Sequence, residues 1–390
     1  MLKFTINAKE LKSIIDRSIS IINKDAVCYG YTNLFFQITE NGILKVSGTN
    51  GNDYLEIISE NIFDVSSGIV VININDLKLI SKMNNDDIKF TDISTTKNKL
   101  VNIHCGKKKL NVANYNDASI SLPKMNTEET KILSVTETWL LETFSNLSVF
   151  TLNSETRKEL QTVHFNTKDK RVEATNSHYI AIRNLKEEQI FTEEQNIMLD
   201  KNCLSIFKKV LEKKSNNEII ISQNNKYIKV KGKNFTYIVH RLSSNYNYLN
   251  LNNIFTNDNI YSFVADKTNM LDIMKYNCEL LKNNKKPVVF YCKNKEIFTY
   301  VITDGRESLD KIEAEDVIMD DMYMTYNPEY IMKVMKIIDT DKPVFRIKSS
   351  LHPLFIDGNE YKFLVLPIAI NDKDTINKIQ ERINKIIEIN

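Results

Sequence analysis

Three of the nine glycines in this 390-residue chain, Gly106, Gly232 and Gly358, stand 126 residues apart. Each lies in a short polar turn between two runs of alternating apolar and polar residues: VNIHCGKKKLNVAN, YIKVKGKNFTYIVH and PLFIDGNEYKFLVL. Alternation across a glycine-bearing turn predicts a β-hairpin, with glycine supplying a positive φ at the bend. A hairpin recurring at a fixed interval predicts one unit built three times.

Other landmarks keep the interval. A helix-like segment recurs in NDLKLISKM, KNCLSIFKKVLEK and PEYIMKVMKII, with Leu77, Leu204 and Ile331 as matching apolar positions. An earlier helix recurs in KELKSIIDRSISII, ETWLLETFSNLSVF and KTNMLDIMKYNCELL, each entered from a short strand, with Asn7, Thr136 and Asp266 as expected N-caps. Between the two helices, each copy has a strand pair turning at a threonine: Thr49, Thr175 and Thr303. A period this long exceeds any solenoid or propeller repeat, so each copy should carry its own core. The order strand, helix, strand pair occurs twice per copy, which predicts an α+β domain with two helices on antiparallel sheets. The expected domains are 1–124, 125–252 and 253–370, with residues 371–390 left over.

Composition narrows the function classes. With 42% hydrophobic and 26% charged residues the chain reads as globular, and no apolar run approaches the ~20 residues that span a bilayer. A start at MLKFTINAKEL has no long apolar core, so a cytoplasmic location is expected. Five cysteines without a CxxC pair and five histidines without an i,i+4 pair predict neither a disulfide framework nor a metal site. Nucleotide-binding, metalloprotease, hydrolase and EF-hand spacings are all missing, so the expectation is a non-enzyme without a cofactor.

The net charge of +2 neither requires nor forbids nucleic acid. Placement of the lysines is more telling: Lys78 and Lys82, Lys201 and Lys208, Lys209 and Lys213, and Lys267, Lys275 and Lys282 recur at same-face spacings on the expected helices or at their ends. For one helix that is an ordinary solvated face. Repeated over an array, it predicts a lining that meets phosphates by charge and reads no base.

Taken in order, the start MLKFTINAKELKSII, the threefold organisation, EATNSHYIA and FLVLPIAI make residues 1–370 resemble the β subunit of bacterial DNA polymerase III, the sliding clamp. The resemblance implies a head-to-tail homodimer, a six-domain ring around duplex DNA, opened by a clamp loader ATPase. Implied partners are the polymerase III α subunit, and other polymerases and repair proteins whose peptides enter a cleft. The matching cleft positions are Leu160, Thr175, His178 and Ile180; Ser244, Tyr248 and Leu249; Asn327 and Tyr330; Leu351 and Pro353; and Leu366, Pro367, Ile368 and Ile370. For the dimer contact the matching positions are Leu110 and Val112 on one side, Leu280 and Leu281 on the other.

Departures from the family pattern fall on the cleft rim. Asn176, Ser177 and Tyr179 replace the usual Asp, Gly and Arg around the histidine, Tyr248 and Ala369 stand at frequent arginine positions, and Ser244 replaces a proline. These changes leave open a clamp-like paralogue of plasmid, phage or repair origin with other partners. The last twenty residues exceed the family's usual length. Ile376, Ile379, Ile383 and Ile386 predict a helix from about Asp374 with one isoleucine stripe, docked on the third domain or near the cleft.

Overall fold

The computed structural model describes residues 1–23, 26, 29–83, 87–116, 129–154, 156–243, 245–252, 254–255, 260–282, 286–303, 305–369 and 373–389. Its helices are α1 (Ala8–Ser18), α2 (Ile74–Ile80), α3 (Glu137–Leu147), α4 (Cys203–Val210), α5 (Lys267–Leu280), α6 (Pro328–Ile337) and α7 (Lys373–Ile389). None among the described residues is long and apolar enough to cross a membrane.

Capping chemistry makes the repeat physical. Asn7 accepts a hydrogen bond from the backbone N–H of Lys9 (3.0 Å), Thr136 from that of Trp139 (3.2 Å) and Asp266 from that of Asn269 (2.9 Å), so all three expected caps start their helices. The second helix of each copy is entered in one manner: Asn73, Asp200 and Asn327, at 127-residue intervals, each accept from the N–H two residues on. In the first and third copies the bonded N–H belongs to the helix itself; in the second it belongs to Asn202, which precedes α4, and the helix start has no side-chain cap.

The chain divides into two compact units, 1–144 with 186–243, and 145–185 with 244–390. In the first unit a five-stranded antiparallel sheet runs Ile62–Ser66, Lys3–Asn7, Asp87–Asp92, Leu100–Cys105, Lys108–Ala113. Its second sheet has eight strands, in the order Thr130–Thr136, Glu218–Gln223, Tyr227–Lys231, Phe235–His240, Asp53–Ser59, Leu44–Thr49, Asn33–Ile38, Gly68–Asn73. First-copy and second-copy strands meet there, Asp53–Ser59 against Phe235–His240, with Leu55 opposite Tyr237.

In the second unit, strands Thr162–Asn166, Arg171–Thr175, Tyr179–Asn184, Tyr361–Val365, Leu354–Asp357, Val344–Ile347, Tyr261–Ala265 and Ala314–Ile318 are neighbours in that order. The same kind of junction recurs, Tyr179–Asn184 against Tyr361–Val365, with Ala181 opposite Phe363. A four-stranded sheet completes the unit: Arg306–Lys311, Glu296–Thr303, Val288–Lys293, Met322–Tyr326.

The three glycines that mark the repeat do not share one backbone role. Gly106 is in its hairpin loop at φ 56°, as the turn chemistry predicts. Gly232 and Gly358 sit one residue earlier, each pairing its N–H with the carbonyl of the residue three further on. Neither has a positive φ among the described backbone, which corrects the expectation for these two. Crowding explains them instead: a Cβ would lie 2.3 Å from Phe235 Cε1 at position 232 and 2.3 Å from Asp339 Oδ1 at position 358.

Candidate functional site

The second unit holds every described residue of the predicted cleft. Thr175 donates its hydroxyl to the Tyr179 carbonyl (2.8 Å) and accepts from the Ser177 N–H (3.0 Å), while Asn176 accepts from the N–H groups of His178 and Tyr179. This closed turn leaves Thr175 buried and pushes His178 into solvent. Ser177 bends the chain at φ 77°.

Beside the turn, the Leu366 N–H donates to the His178 carbonyl (2.9 Å), and the Ile368 N–H donates to the Thr325 carbonyl (2.9 Å). The Thr325 hydroxyl donates back to the Ile368 carbonyl. Leu366, Pro367 and Ile368 are therefore held by their backbone, with side chains half-buried or exposed. Asn327 caps α6, and one turn on, the Tyr330 ring lies 4.3 Å from Tyr179 and 6.4 Å from His178, nearly parallel to the latter. His178 is thus flanked by Tyr330 and Leu366, which come from two other elements.

An apolar cluster adjoins the strand that leaves the turn. Ile180, Ile182, Leu251, Phe355 and Leu364 form a buried cluster, and Tyr248 and Phe255 pack on it. Tyr248 also lies 4.3 Å from His164, whose Nδ1 is 2.7 Å from Glu173 Oε1, and Arg171 donates to the other oxygen of Glu173 at 2.5 Å. The Tyr248 ring thus closes over a largely buried His–Glu–Arg cluster. Burial raises the pKa of the Tyr248 phenol well above its ordinary value, so it stays neutral.

The remaining nominated residues divide by exposure. Leu160 is fully buried and belongs to the interior, whereas Leu249 and Leu351 are 37% and 69% exposed; Pro353 is half-buried. Ser244 and Ile370 lie outside the described residues. Sequence reasoning passed over Lys333, whose Nζ stands 5.3 Å above the Tyr179 ring, 6.0 Å from that of Tyr330 and 3.2 Å from the Tyr179 hydroxyl. Its i,i+3 spacing from Tyr330 on α6 was the available signal.

In the first unit α1 and α4 pack together and leave a groove of about 520 Å³ lined by Lys9, Lys12, Ser13, Asp16, Arg17, Lys208, Lys209, Val210, Leu211 and Glu212. Lys9, Lys12, Lys208 and Lys209 are exposed. Arg17 instead ties the groove together, donating to Asn234 Oδ1 (2.9 Å) and the Val210 carbonyl (3.3 Å); burial lowers its pKa. Lysines of α1 were missed by spacing because Lys9 and Lys12 gain meaning only opposite α4.

Other nominated lysines are less alike than their spacing suggested. Lys78, Lys82 and Lys213 are exposed, and Lys201 at the entry to α4 is half-buried. On α5, Lys267 donates to the Ile338 carbonyl beyond the end of α6 (2.7 Å), Lys275 pairs with Asp272 (2.9 Å), and Lys282, just past the helix, pairs with Glu279 (3.6 Å).

Of the interface candidates, Leu110 and Val112 lie on Lys108–Ala113, the outer strand of the five-stranded sheet; Val112 points inward at 4% exposure. Leu280 is half-buried at the end of α5, and Leu281 is buried within its own unit.

No protein-family model and no curated protein sequence matches the chain. Solved structures do. The β subunit of DNA polymerase from Streptococcus pyogenes superposes with a TM-score of 0.85 at 16% identity, over 94% of this chain and 100% of the other. The sliding clamp of Bacillus subtilis gives 0.83 at 16% identity, over 95% and 99%. A Bartonella birtlesii clamp bound to griselimycin gives 0.81 at 12% identity, over 95% and 100%.

Proposed function

From the premise that this chain has the fold of the DNA polymerase III β subunit, we propose that it is a DNA sliding clamp: two copies close head to tail around duplex DNA and tether polymerases by peptides in the cleft of the second unit. One observation carries the reading. The chain makes the same strand junction twice internally, and the two halves of a third, Arg306–Lys311 and Lys108–Ala113, lie on sheet edges that no other strand among the described residues pairs with. Such edges are hazards unless a partner covers them, and complementary halves on one chain fit a closed head-to-tail assembly.

Transferring the register of Leu55 with Tyr237 and of Ala181 with Phe363 to the third junction puts Ser308 opposite Leu110 of a second copy, and Asp310 opposite Lys108. Leu280, half-buried at the end of α5, is the apolar side chain free to join that contact; Leu281 is committed to its own core. The lysines of the α1–α4 groove suit weak, mobile phosphate contacts, which sliding requires. Opening such a ring falls to a partner ATPase, and the polymerase III α subunit and repair polymerases are the expected peptide donors.

The test is retention on DNA. Loaded on a nicked circle, the protein should co-elute with the circle and leave within minutes once the circle is cut. Equal retention on linear duplex with free ends overturns encirclement.

A further inference from the structure

We propose that α7 is a brace for the edge strand Arg306–Lys311, holding it in the conformation that receives a second copy of the chain. The proposal rests on the ring reading and adds to it a role for a segment outside the repeat.

The sheets that end in or contain the equivalent strands Tyr179–Asn184 and Arg306–Lys311 each have an apolar outer face. On Tyr179–Asn184 that face carries Ile180 and Ile182, and the segment leading into the third copy covers it with Tyr248, Leu251 and Phe255. After the third copy the chain runs into α7. The third copy's corresponding face, made by Val289, Tyr291, Tyr300 and Leu309 with Tyr323 alongside, is covered by α7 through Ile379, Ile383 and Ile386. Ile383 is fully buried there. The tail occupies the place that an interdomain connection fills one copy earlier.

Polar contacts fasten the same helix on both sides of its isoleucine stripe. Arg382 donates to both oxygens of Glu307 on the edge strand, at 2.5 and 2.9 Å, and Tyr300 donates to Glu307 at 3.1 Å. Away from the edge, Asn384 accepts from Lys293 (2.7 Å) and from Tyr291 (3.3 Å). A two-pronged guanidinium fixes the orientation of the carboxylate it holds. Glu307 is the second residue of the outermost strand of the four-stranded sheet, held by ladder hydrogen bonds on one side only. Ordering that strand before association removes an entropic cost from dimer formation.

The measurement is the dimer dissociation constant, by mass photometry across dilution, for the full chain, a chain ending at Ala369, and the milder variants Arg382→Ala and Glu307→Gln. Expected is at least a tenfold rise on truncation and a smaller rise for each point variant, with hydrogen exchange slowed less on Arg306–Lys311 than in the full chain. A full chain that dimerises with the same constant as the truncated one and both variants overturns the brace while leaving the ring intact. A full chain that is monomeric at every concentration overturns the ring reading, and the brace with it. Should the truncated chain fail to fold, the two point variants decide the matter by the same comparison.

Discussion

At Ser177 an ordinary residue does a glycine's work. The strand turns that start at Thr49, Thr175 and Thr303 each bend two residues later at positive φ: 96° at Gly51, 77° at Ser177 and 77° at Gly305. A side chain in this region costs about 1–2 kcal/mol. The Ser177 hydroxyl accepts from Arg157 at 3.0 Å, but at the surface this offsets little. Ser177→Gly should therefore raise stability by about 0.5–1 kcal/mol in urea unfolding, and Ser177→Val should lower it. A gain in stability with weaker cleft binding of a polymerase peptide would show that the strained turn also orients His178. Sequence alone flagged the residue as a departure from a family pattern; its dihedral gave the departure a cost.

On the scale of elements, α7 was the most legible of the helices and the least explained. Its 3-4-3 isoleucine spacing specified an amphipathic helix, while what covered the stripe depended on a sheet face built by residues from Val289 to Tyr323, far upstream in the chain. Ile383→Ala should cost about 2–4 kcal/mol of local stability, read as faster hydrogen exchange along 373–389 with α5 and α6 unchanged. Acid should loosen the same docking. The Arg382 guanidinium holds the Glu307 carboxyl below its ordinary value of 4.5, so the stabilisation is complete above that pH and is lost as pH falls through the lowered value. Both groups are largely solvated, so the change should be small and should vanish in Glu307→Gln.

For the whole molecule the decisive quantities are charge placement and free edges. Reversing Lys9, Lys12, Lys208 and Lys209 to glutamate should shorten the lifetime on circular DNA and flatten its salt dependence, without changing the dimer constant. The same change at Lys275, already paired with Asp272, should have less effect. Comparable losses from both sets would mean that the α1–α4 groove has no special part in DNA contact.

The triplication, the helix starts at Asn7, Thr136 and Asp266 and the tail's stripe were set by local rules, because alternation, helical spacing and capping act within a few residues of the chain. Tertiary structure decided what depends on distant neighbours: that Gly232 and Gly358 are needed for space and not for dihedral freedom, that Tyr248 roofs a largely buried His–Glu–Arg cluster, and that Lys9 belongs with Lys208. A short-range pattern can name an element; a groove, a cleft floor or a free edge exists only once separate elements have been brought side by side.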